Sequence, residues 1–390
     1  NTEHFGTAGD YGTATATGAV GGSIFSFQLE HQPAYLVFQP YISNTILHDC
    51  YLTKVEVTSD NDIAETYSIN TTTGALDASA GTGSKKIVLT TSGSGSYSNG
   101  FPLTNSSASV STNGAYMVIK PGTHILKVRY WVKDNATGTE GTITKTLPAT
   151  TYASNTYYDM TANLNVRNYD GDKYYMWDAQ QNFWSGHEWN SANPWQPVLK
   201  DNTNANYAQN NTDSRYYNDS YPSNGTSCPA THSPCKDLPN ANEMSWYVMY
   251  GDPRWDADEL WTTMGHLYKG GMWFKKKSVL QGEGHYNTEK SADGSTDLRT
   301  TQKEYLNTNS SIYNSGLPDA ADAGKYFYLP AIGYYITGQL TNIGGVGAYW
   351  TSNANPWLSD RAYDMDFSRV NVSLNKGYSC AYGFRVGGFE

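Results

Sequence analysis

Long hydrophobic runs are missing from this 390-residue chain: no apolar stretch approaches the roughly 20 residues that a membrane-spanning helix needs. Charge is also sparse, at 16% of residues, where an average soluble chain carries roughly 25%. What charge there is leans acidic, 36 Asp and Glu against 26 Lys and Arg, for a net of -10. The one basic run, Lys275-Lys276-Lys277, is short. Nucleic acid and anionic lipid both require clustered cations to neutralise phosphate, so neither is expected as a partner. Cysteine is scarce too, with Cys50, Cys228, Cys235 and Cys380 alone. No Cys-x-x-Cys pair and no close Cys/His quartet occurs, which argues against structural zinc. Cys228 and Cys235, flanking Pro229 and Pro234, could close a small disulfide loop in an oxidising compartment, although spacing does not choose among the possible pairings.

Catalytic signatures are equally absent. The chain has no Gly-x-Ser-x-Gly elbow, no His-Glu-x-x-His pair and no Gly-x-x-x-x-Gly-Lys phosphate loop. It opens at Asn1 without a signal-like apolar segment, so a mature form is expected, with any signal peptide or outer-membrane anchor upstream.

What is present is aromatic: 14% of residues, led by 32 Tyr, alongside 37 Gly. Tryptophan is unevenly spread. Trp131 stands alone before Val166, while Trp177, Trp184, Trp189, Trp195, Trp246, Trp255, Trp261, Trp273, Trp350 and Trp357 all follow. Two domains with different cores, 1–166 and 167–390, account for that shift.

The first domain is rich in Thr, Ser, Gly and Val, in short alternating runs split by turn residues, the strand pattern. Strands are expected at 23–28, 34–39, 52–58, 86–90, 115–120, 124–132, 142–146 and 157–166. Asp134-Asn135-Ala136-Thr137-Gly138 supplies a hairpin turn, because these residues tolerate positive φ cheaply. An all-β antiparallel sandwich follows.

In the second domain residues 200–227 hold almost no aliphatic side chains and much Asn, Asp, Ser and Tyr, as a long surface loop would. A helix should start at Asn240, whose side chain can accept from an orphan N–H while Glu243 reaches back. Asp256 and Glu259 repeat that spacing, so a second short helix is expected to end near Tyr268, with Gly251 and Gly270 as stops. Short strands resume at 326–330, 333–336, 348–352, 362–367, 370–374 and 381–386, giving an α+β domain.

Four ordered motifs of this half, Leu238-Pro239-Asn240-Ala241-Asn242-Glu243-Met244, Tyr328-Leu329-Pro330-Ala331-Ile332-Gly333-Tyr334-Tyr335, Gly347-Ala348-Tyr349-Trp350-Thr351-Ser352 and Tyr382-Gly383-Phe384-Arg385-Val386, resemble the bacterial major paralogous domain. That resemblance implies a C-type lectin-like fold, related to the formylglycine-generating enzymes, from about Asp237 onward. The first half resembles the fimbrillin family, a transthyretin-like sandwich, through Ala34-Tyr35-Leu36-Val37-Phe38, Tyr116-Met117-Val118-Ile119-Lys120-Pro121-Gly122 and Tyr157-Tyr158-Asp159-Met160-Thr161-Ala162-Asn163-Leu164. Together these imply an extracellular fimbrial tip or accessory adhesin. Its implied partners are other pilus subunits and a glycan or a host or bacterial surface protein. A structural pilus subunit assembling by strand exchange is the alternative, and an enzyme of the formylglycine-generating fold a further one. Those enzymes act through a cysteine pair near the C-terminus; here Cys380 stands alone, so no activity is expected.

Sugar platforms pair an aromatic ring face with amides and carboxylates for the hydroxyls. Trp350, Asn353, Asn355, Trp357 and Asp360 carry those groups within one short stretch and are the expected ligand contacts. No cofactor is expected. Calcium is the one ion these oxygen donors suit, although six to eight ligands are needed and the C-type lectin order of residues is not kept.

Overall fold

A computed structural model describes residues 5–47, 49–73, 76–77, 81–221, 223–314 and 316–390. The chain divides into two compact units, Asn1–Val166 and Arg167–Glu390.

In the N-terminal unit the principal strands are β1 (Ala34–Tyr41), β2 (Cys50–Ser59), β3 (Lys86–Thr90), β4 (Phe101–Pro102), β5 (Ala115–Ile119), β6 (Leu126–Asp134), β7 (Glu140–Thr146) and β8 (Thr156–Asn163). One sheet runs β7-β6-β2-β3 with β4 also on β2, and the other runs β8-β1-β5. Strand β6 shows why these residues pair: Leu126, Val128, Tyr130 and Val132 point inward and alternate with Lys127, Arg129, Trp131 and Lys133. The sheets meet where Phe38 of β1 and Tyr130 of β6 pack edge to face, 6.2 Å apart. The hairpin between β6 and β7 is closed by Asp134, whose Oδ1 accepts from Ala136 N at 2.8 Å, and Gly138 takes φ +71°.

Two expectations are corrected in this unit. The pairing is not antiparallel throughout, because β8 runs parallel to β1 from Thr156 opposite Ala34 to Asn163 opposite Tyr41. Residues 23–28 form no strand and make only an isolated bridge between Thr17 and Ser26. Their apolar alternation finds no partner, which leaves Ile24 80% and Phe27 64% exposed.

The C-terminal unit contains β9 (Arg167–Tyr169), β10 (Tyr174–Tyr175), α1 (Ala241–Tyr250), β11 (Arg254–Thr263), β12 (His266–Lys275), β13 (Tyr305–Asn307), β14 (Tyr326–Pro330), β15 (Val346–Ala354), β16 (Arg361–Ser368), β17 (Val372–Ser379) and β18 (Phe384–Arg385). They build a four-stranded sheet, β9-β11-β12-β14, and a six-stranded sheet, β10-β18-β15-β16-β17-β13. Phe274 of β12 meets Phe367 of β16 at 5.7 Å, and Tyr247 of α1 meets Phe327 of β14 at 5.7 Å, so helix and sheets share an aromatic core. Gly347, opposite Phe367, must lack a side chain: a Cβ there would lie 2.2 Å from the ring.

Helix α1 starts as its sequence requires. Asn240 Oδ1 accepts from Glu243 N at 2.9 Å, and Glu243 Oε2 accepts from Asn240 N at 2.8 Å, a complete capping box. The second expected helix does not exist. Asp256 does accept from the backbone N–H groups of Asp258 and Glu259, at 3.0 and 2.9 Å, as an N-cap would. In this chain that bonding shapes a bulge inside β11, between Asp256 and Leu260, and the segment continues as a hairpin into β12 through Met264 and Gly265, both at positive φ. Residues 200–227 contain no regular strand or helix among those described and are tied by Asn and Asp side chains that accept from nearby N–H groups, such as Asn204 from Asn206 N at 2.9 Å.

Candidate functional site

The expected contact residues lie on β15 and on the turn that joins it to β16. The two on the strand, Trp350 and Asn353, point inward, and so does Asn355 just past its end. Trp350 is fully buried, its Nε1 donating to Tyr175 O at 2.7 Å and its ring stacked on Phe384 at 4.4 Å. Asn353 is 2% exposed, and its Oδ1 accepts from Ala241 N at 3.1 Å, satisfying one of the orphan donors of α1. Asn355 is fully buried as well, with Oδ1 accepting from Trp357 N at 2.8 Å and Leu358 N at 3.1 Å while its amide donates to Lys376 O. These three therefore shape and support the site; they do not face a ligand.

Trp357 is the residue this framework presents. It is 52% exposed at the head of the turn, held from below by Asn355. The long loop holds it from the side: Gly225 N donates to Pro356 O at 2.9 Å, and Gly225 takes φ +78° so close beneath the indole that a Cβ would lie 2.5 Å from it. A backbone seat of this kind supports the ring while half of the residue stays open to solvent, as a stacking platform requires. Asp360, with a side chain 58% exposed, lies three residues on and is 3.5 Å from Arg361 Nε. Trp357 and Asp360 are thus the two expected contacts that reach the surface. The seat on Gly225 was not legible, since nothing in the sequence joins positions so far apart.

Sequence pattern alone also gave no sign of a carboxylate pair on β16. Asp364 and Asp366 alternate with buried Tyr363, Met365 and Phe367. Asp364 is fully buried; its Oδ2 accepts from Asn375 Nδ2 at 3.2 Å, while Oδ1 has no partner among the described residues. Burial, reinforced by the neighbouring Asp366 charge, holds the Asp364 carboxyl well above the usual carboxylate range. Burial likewise raises Asp366, which accepts from Ser373 Oγ. Among the described residues no group of three or more His, Cys, Asp or Glu side chains converges as a metal site would require.

All four cysteines are free thiols, so the Cys228–Cys235 bridge that spacing allowed is absent. Cys235 Sγ instead accepts from Asp178 N at 3.3 Å, and Cys380 lies 3.0 Å from the Tyr221 hydroxyl. Burial pushes the Cys235 thiol up to about 12 and the Cys380 thiol higher still. The basic run does not form an open cationic patch either. Lys275 pairs with Glu283, Lys276 with Glu390 and Lys277 with Glu243.

No family model matches the sequence, and no curated protein does. Among solved structures, the chain overlaps a candidate cell adhesion protein of Bacteroides fragilis at a TM-score of 0.24 and 16% identity, over 35% of this chain and 43% of that one. A candidate cell adhesion protein of Bacteroides ovatus overlaps at 0.22 and 18% identity, over 36% and 42%. A fimbrial protein of Bacteroides ovatus overlaps at 0.15 and 11% identity, over 95% and 73%. The chain spans less than half the length of the first two. Overlaps this shallow carry neither a fold nor a role over to this chain.

Proposed function

We propose that the chain is a non-catalytic adhesin of the cell surface, a tip or accessory subunit of a fimbrium that contacts a glycan or a surface protein through its C-terminal unit. The fimbrillin-like and lectin-like motifs supply the setting, and the observation that carries the reading is Trp357, an indole half open to solvent on a backbone seat at Gly225, with the exposed Asp360 three positions on. Glycan-array and matrix-protein binding by the whole chain, compared with Trp357→Ala, tests it. Binding should vanish in the variant while the melting temperature stays put; a chain that binds nothing on either surface would remove the adhesin reading. The buried, raised thiols support the absence of catalysis, because a thiol nucleophile must ionise near neutral pH.

Assembly by strand exchange is a second reading, favoured by residues 23–28. Ile24, Phe25, Phe27 and Leu29 are all more than half exposed, an apolar ribbon of the kind that completes a neighbour's sheet. The purified chain should then form ladders with neighbouring subunits, and Phe25→Asp with Phe27→Asp should abolish them. Monomers that persist in such mixtures would exclude this route.

A further inference from the structure

Away from Trp357, the C-terminal unit holds a concavity of about 470 Å3, within the roughly 300–1,000 Å3 span of small-molecule sites. Its floor is aromatic. Trp273 of β12 and Tyr328 of β14 are register partners with ring centroids 5.1 Å apart, and Tyr169 of β9 lines the same space. Gly271 makes room for the Tyr328 ring, since a Cβ there would come within 2.4 Å of its hydroxyl. The indole is fixed by Nε1 donating to Asp256 Oδ2 at 3.1 Å.

Two cations stand at this floor. The Arg167 guanidinium lies 5.3 Å from the Trp273 ring and 5.7 Å from the Tyr328 ring. Its carboxylate neighbour, Glu259, is 4.0 Å away, beyond hydrogen-bond reach. Lys276 is engaged by Glu390 at 3.0 Å, so Arg167 is the cation with donor capacity to spare. Tyr328 lines the same space, but it is only 5% exposed and its hydroxyl is covered, close against Gly271.

We propose that this concavity is a second binding site, separate from Trp357, for an acidic monosaccharide unit, a uronic or sialic acid. The ligand carboxylate takes two N–H donors of Arg167, the planar fork that carboxylates match. The apolar face of the pyranose lies against the aromatic floor. A simple anion would leave the aromatic floor unused. A neutral sugar would leave Arg167 unused.

The test titrates the whole chain with galacturonic acid and with N-acetylneuraminic acid, read by tryptophan fluorescence and saturation-transfer NMR, beside galactose, acetate and a short Glu-rich peptide. Saturable binding of an acidic sugar is expected, with galactose and acetate about tenfold weaker or more. Arg167→Gln should weaken it about tenfold, and Arg167→Lys severalfold without lowering the melting temperature. Trp357→Ala should leave it unchanged, so this site and the proposed adhesive face fail separately. The proposal is overturned by any of several results: no saturable binding of either acidic sugar, equal binding by acetate, binding of the peptide in place of the sugars, loss with Trp357→Ala, or indifference to Arg167→Lys. That last variant keeps the charge and removes the planar fork, so it decides the matter even if Arg167→Gln fails to fold.

Discussion

At the scale of single residues, a buried acid and a pair of tryptophans carry the sharpest consequences. Asp364 binds its proton more firmly in the folded chain than in the unfolded one, because burial and the Asp366 charge raise its carboxyl. A group raised in this way leaves stability greatest below the ordinary carboxylate pKa and drains it as pH climbs through the raised value. Asp364→Asn should therefore raise the unfolding free energy near neutral pH and above by about 1–3 kcal/mol, and flatten the fall with pH. Urea titrations at a series of pH values read both effects; an unchanged slope would mean that Asp364 ionises freely. Trp350 and Trp357, seven positions apart, should behave as opposites. Trp350→Ala empties a filled core position and should cost about 3–5 kcal/mol. Trp357→Ala should stay within about 0.5 kcal/mol in the same titration.

Secondary-structure elements show how far local chemistry reaches. Asn240→Ala should destabilise the chain by about 1 kcal/mol, as loss of one cap does, and the thermal midpoint would record it. Helix α1 was legible because its cap, its box partner and its apolar turns agree. The same side-chain chemistry at Asp256 misled, since an acceptor two or three residues before bare N–H groups serves a strand bulge as well as a helix start. Most strands were legible by alternation, for instance residues 86–90 and 326–330, which coincide with β3 and β14. Residues 23–28 alternate equally well yet make only the single bridge from Ser26 to Thr17, because alternation reports the faces of a strand and says nothing about its neighbour. Depth was the other blind spot: Asn353 and Asn355 read as exposed amides, yet one caps α1 and the other braces the Trp357 turn. Only contacts between distant segments decide which way such amides point.

For the whole molecule, the division at Val166 and Arg167 sits where the tryptophan count changes, since each unit needs its own core. All four thiols are buried, so a thiol-specific reagent should label the native chain slowly and the urea-unfolded chain at once. Fast native labelling of Cys380 would revive a catalytic reading. The parallel pairing of β8 with β1 has a bearing on time. Gln39 and Asp159, 120 positions apart, are hydrogen bonded across it at 2.6 Å, and β1 is the middle strand of its sheet. Until synthesis has passed Asn163, β1 must wait with one side open, and the N-terminal unit cannot be finished from its beginning. Such distant closure makes for slow folding, so a chain still being made or exported exposes a vacant strand position that any suitable ribbon, its own or a neighbour's, can reach first.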